Sequence, residues 1–181
     1  SGRSIPIVWP GVWFCVDQQS TENGNFHVAK NCSRAEKILV AHMSSAASDD
    51  ECIDFAKPTG SGTFELMIGS RRYPDRPIEL DDLIVFELLH RTIGKGSKMN
   101  LTRHSYWDQS SGRKNFVIGI PLTKSPGDGI DGQVQFTGEH LSTGSLVSVQ
   151  QKGLTGVDRM FLRLRYTALV EIEAGGVTLS E

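Results

Sequence analysis

The stretch that decides the fold is Met160-Phe161-Leu162-Arg163-Leu164-Arg165-Tyr166-Thr167-Ala168-Leu169-Val170-Glu171-Ile172. Every even-numbered residue in it is apolar or small. A strict period of two over that length is a strand with one face on a core. The chain is therefore read as all-β, with a long strand near its C-terminal end.

Working outward, the other segments read as shorter strands and turns. Ile5 to Val16 is extended, and Pro6 and Pro10 make its first half an edge strand or an arm. Thr21 to Asn25 is a turn containing Asn23-Gly24, the strongest hairpin dipeptide. Ile38-Leu39-Val40 marks a buried strand or a short helix within Ala35 to Met43, and Thr63 to Ile68 alternates as a strand. Arg71 to Pro77 reads as an exposed turn. Ile78 to Ile93 is ambiguous. Leu80, Leu83, Ile84 and Leu88 fit one helical face ending at Gly94. Leu83-Ile84-Val85-Phe86 is rich in strand formers, and the reading adopted is one helical turn at Ile78–Asp82 followed by a buried strand. Met99 to Trp107, Phe116 to Leu122, Gln133 to Thr137 and Leu146 to Gln150 complete the set of strands.

Eight or more short strands with regular turn signals and little helix point to a sandwich or barrel. The expectation is a single jelly-roll β-sandwich of about eight antiparallel strands, with one or two short helices in loops. It forms one domain over residues 1–181, with residues 1–10 as an extended arm.

The composition fits that class. At 181 residues, 38% hydrophobic and 22% charged, the chain is an ordinary globular domain with room for a core. Its 19 glycines suit many turns, and its formal net charge of −2 argues against bulk attraction to nucleic acid. No apolar run is long enough to span a membrane. Ser1-Gly2-Arg3-Ser4 carries neither an initiator Met nor a signal-peptide core, which is expected of a processed chain, an engineered one, or the ordered part of a longer one. Cys15, Cys32 and Cys52 are odd in number and lack paired spacing, so a reducing compartment is expected, with at most one bridge.

No catalytic constellation is visible, and the chain is not expected to be an enzyme. His27, His42, His90, His104 and His140 form no metal-ligand spacing. Cys15 lies within an apolar strand, and Cys52 follows Asp49-Asp50-Glu51, which would raise its pKa. There is neither a Gly-x-Ser-x-Gly elbow nor a phosphate-cradling glycine loop. Asp128 and Asp131 in a glycine-rich loop, like the acids at 49–51, fit common acidic turns better than a Ca²⁺ site. No cofactor is expected, and a Ca²⁺ ion, if bound, would take ligands from two subunits.

Arg159, Arg163 and Arg165 share the odd-numbered face of the last long strand. A row of guanidinium groups suits phosphate. The competing use is cross-strand pairing on a solvated sheet, since Glu171 and Glu173 continue the same face. Arg71, Arg72 and Arg76 form a second, equally unspecific basic cluster. Trp9-Pro10-Gly11-Val12-Trp13-Phe14 reads as a segment packing on a neighbour. Trp9, Trp13 and Trp107 could alternatively serve as sugar-stacking platforms.

This layout resembles the shell domain of coat proteins from small icosahedral positive-strand RNA viruses. The nearest comparison is the single jelly roll of plant viruses, including ourmiavirus-like ones. The residues that carry the likeness are the Pro/Trp-containing first strand, the long polar loops and the alternating strand Arg159 to Glu173. The likeness lies in organisation, not in a motif, and transfers no residue role. It implies a homo-oligomeric shell enclosing viral single-stranded RNA, assembled in the host cytoplasm and resident in the virion, with no membrane partner. A basic N-terminal arm preceding Ser1 would be implied too. On this reading Arg3, Arg159, Arg163 and Arg165 face nucleic acid, and Trp9, Trp13 and Phe14 lie at a subunit interface. The alternative is a carbohydrate- or ligand-binding β-sandwich, which requires an exposed tryptophan in a polar groove.

Overall fold

The computed structural model describes residues 5–18, 22–44, 55–59, 61–94, 102–107, 115–123, 139–141, 147–173 and 176–180. Ten strands and two helices lie within them. In chain order they are β1 (Ile5–Gln18), β2 (Gly24–His27), β3 (Cys32–Ser44), β4 (Thr63–Ile68), β5 (Arg71–Glu79), α1 (Leu83–Ile93), α2 (Arg103–Trp107), β6 (Val117–Pro121), β7 (Glu139–Leu141), β8 (Val147–Lys152), β9 (Val157–Glu173) and β10 (Gly176–Ser180).

The pairing is nested. β1 pairs with β9, β2 with β8, β3 with β6 and β4 with β5, all antiparallel. A long hairpin rolled up on itself produces that order. Two further pairings, β3 with β9 and β4 with β8, join the rolled pairs into sheets ordered β1-β9-β3-β6 and β2-β8-β4-β5. β7 adds to β3, and β10 adds to the far end of β9. This is a jelly-roll β-sandwich.

The core lies between the sheets. On the first sheet, the even residues of β9 face it: Met160, Leu162, Leu164, Tyr166 and Ala168 are all buried. Ile38 and Val40 of β3 and Ile118 and Ile120 of β6 share that face. Phe26, Phe64, Leu66, Val147 and Val149 come from the second sheet to meet them. Gly11 is required where β1 crosses Tyr166. A Cβ there would stand 2.3 Å from the tyrosine ring.

Several segments differ from the sequence reading, each for a physical reason. Leu83 to Ile93 is helix α1, not a strand. Asp82 caps its start by accepting from the Ile84 N–H at 3.2 Å, and the Gly94 N–H closes its end on the His90 carbonyl at 3.0 Å. Arg71 to Pro77 belongs to strand β5, an edge strand that buries little besides Ile78, so its polar residues and prolines are tolerated. Arg103 to Trp107 is a short helix, begun by reciprocal hydrogen bonds between Thr102 and Ser105. Asn23-Gly24 does not close a hairpin. β1 and β2 lie in different sheets, and the Asn23 side chain accepts from the Gly153 N–H at 3.2 Å. β10 is an additional strand. The strand expected at Gln133 to Thr137 lies outside the described residues.

Candidate interaction surface

The outward face of the first sheet is built in three rows. Val16, Phe161, Ala41 and Val117 form one; Phe14, Arg163, Leu39 and Gly119 the next; Val12, Arg165, Lys37 and Pro121 the third. Helix α1 covers the β6 side of these rows. A Cβ on Gly119 would come within 3.0 Å of Leu89 Cα and 2.9 Å of Thr92 Cβ, so only glycine admits the helix backbone this close. Lys37 donates from Nζ to the Thr92 carbonyl at 2.9 Å, placing a cation at the helix C-terminus. Burial, then the neighbouring Arg165, lower the Lys37 pKa from its ordinary value, with Glu36 acting the other way.

The β1–β9 side of the face is open. Val12, Phe14 and Val16 are 51%, 56% and 47% exposed. Phe14 stacks on Phe161 with ring centroids 6.1 Å apart, and Phe161 meets Phe55 edge-on at 6.2 Å. Beside this apolar stripe stand Arg163 and Arg165, both exposed. Arg165 Nε lies 2.9 Å from Glu36 Oε2. Glu36 sits where the β3–β9 register shifts, and its other carboxylate oxygen accepts from the Thr167 hydroxyl. The open face is thus an apolar strip flanked by cations, one of which is already paired.

The residues singled out from the sequence separate accordingly. Arg163 and Arg165 sit on the open face; Arg159 occupies the same face lower down and is half-buried. Arg3 lies outside the described residues. Phe14 is on the open face. Trp13 has the opposite parity and packs against the core. Trp9 shares the parity of Trp13 yet is 62% exposed; it pairs with Ala168, next to the stretch of β9 that β10 joins. Ile7, Ile172, Val177 and Leu179 are exposed on that same face, an apolar patch that the sequence reading missed. Alternation in Val177-Thr178-Leu179 was the signal that could have found it.

The remaining candidates are structural in their surroundings. Trp107 packs on Tyr106 at 5.0 Å and Phe116 at 5.9 Å, and Lys57 Nζ lies 5.1 Å from its ring centre. Lys57 also pairs with Asp81. Arg72 Nε lies 3.7 Å from Glu65. Neither Cys15 nor Cys32 is in a disulfide. Cys52 and the acids at 49–51, 128 and 131 lie outside the described residues. Among the described residues, no three His, Cys, Asp or Glu side chains cluster as a metal site would need, and no helix is long and apolar enough to cross a membrane.

His42 is fully buried between the sheets. Its Nε2 faces Gln151 Oε1 at 3.2 Å, while the Gln151 amide contacts Met160 Sδ at 2.9 Å and His42 Nδ1 has no partner. Burial pushes its pKa down to about 4, partly offset by the Gln151 hydrogen bond.

No protein-family model matches the chain, nor does any curated protein. Among solved structures it is similar to PBCV-1 VP54, whose crystal structure was fitted into a cryo-EM reconstruction of the virophage Sputnik. The TM-score is 0.59 at 7% identity, over 99% of this chain and 52% of that one. The chain thus spans about half the length of the structure it matches. At that identity the likeness is one of fold: the described residues form a jelly-roll β-sandwich of the kind found within VP54.

Proposed function

We propose that the chain is a structural subunit of a virus shell, self-assembling and not catalytic. The observation that carries the reading is the nested jelly-roll order, in a chain that leaves the stripe Val12, Phe14 and Val16 open to solvent. Soluble monomers rarely leave contiguous apolar strips uncovered, and such strips mark contact surfaces. The fold likeness to a protein fitted into a virophage reconstruction supports the same reading. Trp9 and Phe14 lie on opposite faces of one sheet, so they would serve two different contacts, while Trp13 would brace the strand between them.

The finer reading is an icosahedral shell enclosing single-stranded RNA, of the plant-virus type, assembled in the host cytoplasm and resident in the virion. It rests on the organisation of the sequence and on the cations of the open face. Of these, Arg163 is the residue best placed for phosphate, because Arg165 is engaged by Glu36 and Arg159 is half-buried. Arg3 would add to the same contact from the N-terminal side. The single-domain reading belongs with this proposal.

The test is the nucleic acid that accompanies the purified protein. Absorbance at 260 nm that resists washing and disappears with ribonuclease after disassembly supports an RNA shell. Deoxyribonuclease sensitivity alone would keep the shell and overturn the RNA genome. Protein free of nucleic acid that never sediments faster than a monomer would overturn both.

A further inference from the structure

We infer that the segment Val12 to Val16, in the second half of β1, pairs edge to edge with the same segment of a second copy of this chain. The pairing is antiparallel about a two-fold axis through Phe14. It rests on the shell reading only for the identity of the partner; the geometry below stands apart from it.

β1 is the end of its sheet. All fourteen of its residues pair with β9, and no described strand lies on its other side. The prolines reveal which backbone groups face that open side. Proline has no N–H to give to β9, so Pro6 and Pro10 occupy positions whose nitrogen points away from it. Antiparallel bonding alternates residue by residue. The even positions Val12, Phe14, Val16 and Gln18 therefore present their N–H and C=O groups outward, with no proline after Pro10 to interrupt them.

Natural sheets protect such an edge with lysine, proline, a bulge or a covering segment. Pro6 and Pro10 protect the first half. The second half has none of these among the described residues. Its register with β9 runs unbroken to Gln18, and its one charged residue is Asp17, near the end.

The side chains of this segment are symmetric about Phe14. Val12-Trp13-Phe14-Cys15-Val16 reads as valine, phenylalanine, valine on the open face in either direction. Antiparallel pairing about Phe14 sets Phe14 against Phe14, Val12 against Val16 and Trp13 against Cys15 of the other copy. It forms about six backbone hydrogen bonds, two at each of the three outward-facing pairs, and ends where Pro10 meets Gln18. An unrelated strand has no reason to match that pattern, whereas a second copy matches it by symmetry. Charge does not oppose the contact. The two β9 strands would lie about 14 Å apart, three strand spacings. Arg163 and Arg165 of the two copies are then separated by more than the Debye length of about 8 Å. The result is one continuous sheet across two subunits.

A Phe14→Cys chain, with Cys15 and Cys52 changed to Ser, tests the register. Facing Cα atoms in a hydrogen-bonded antiparallel pair stand about 5.5 Å apart, within disulfide range. Mild oxidation should give a dimer whose disulfide links position 14 of one copy to position 14 of the other. A Leu179→Cys control, at an exposed position of β10, should give no such dimer. Val12→Pro is the second variant. It removes an outward N–H and leaves β9 pairing intact, as Pro10 does, so the melting temperature should hold while the dimer dissociation constant rises about tenfold or more.

Position-14 thiols that stay free, or that link elsewhere, overturn the pairing. So does a Val12→Pro chain that dimerises as tightly as the parent. A position-14 disulfide in protein that never forms particles keeps the pairing and overturns the shell. Particles without that disulfide do the reverse.

Discussion

His42 makes the stability of this protein sensitive to mild acid. The imidazole is sealed between the sheets, with Gln151 on Nε2 and no partner for Nδ1. Gln151 presents its carbonyl oxygen, so the neutral ring carries its proton on Nε2. A second proton would place an unpaired N–H and a charge in the core. The folded pKa is accordingly about 4, against 6.5 for an unhindered histidine. Above pH 6.5 neither the folded nor the unfolded chain binds this proton, and the histidine costs nothing. As pH falls below 6.5 the unfolded chain takes it up and the folded chain does not, so stability drops. Each tenfold difference in proton affinity is about 1.4 kcal/mol, which gives a loss of about 2 kcal/mol at pH 5 and about 3 kcal/mol below pH 4. That is a large share of the ~5–15 kcal/mol that stabilises a typical domain. Urea unfolding followed by tryptophan fluorescence at pH 7.5 and pH 5 measures it, because Trp13 and Trp107 are both partly buried against the core. The comparison is His42→Gln, which keeps a polar group and does not titrate, with His42→Met in reserve should the first not fold. The parent chain should lose about 2 kcal/mol more than either variant over that interval. Equal losses would show that His42 is not the titrating group, and that the buried placement of its ring is wrong.

Other substitutions test separate parts of the fold. Leu164→Ala, at a fully buried site on the central strand β9, should cost about 2–5 kcal/mol in denaturant unfolding. Asp82→Ala removes the cap of α1 and should cost about 1 kcal/mol, with Asp82→Asn retaining most of it. Gly119→Val forces α1 off β6 and should lower the melting temperature by more than Ile93→Val, at a half-buried site on the same helix, does. Arg163→Glu should leave the unfolding free energy within about 0.5 kcal/mol of the parent and, on the proposed shell reading, weaken retention of nucleic acid and flatten its salt dependence.

Much of the sandwich was legible because its central strand announces itself. β9 carries a two-residue period over its whole core-facing length, and Thr63 to Ile68 of β4 does the same on a smaller scale. Contiguous apolar runs were harder. Leu83-Ile84-Val85-Phe86 reads as strand by residue type, yet Asp82 and Gly94 at its two ends are helix caps, and a backbone-close seat on Gly119 secures the helix. β5 was obscured because an edge strand with an exposed face needs no alternation. Asn23-Gly24 shows the limit of turn chemistry: it fixes the bend and not which sheet the chain enters next. For the interaction surface, parity alone placed Arg163 and Arg165 outward together. It could not reveal that α1 covers one side of their face, or that a register shift brings Glu36 to Arg165. The exposure of Trp9, against the partial burial of Trp13 at the same parity, depends on what packs over each end of β1, which no local pattern encodes.

The most direct measurement is sedimentation velocity of the purified protein over rising concentration, with electron micrographs of whatever sediments fast. A shell subunit should pass from slow species to uniform, closed particles, with dimers as the smallest species above the monomer. A single slow boundary at every concentration, and empty fields in the micrographs, would contradict the shell reading and return Val12, Phe14 and Val16 to the status of a surface without a partner.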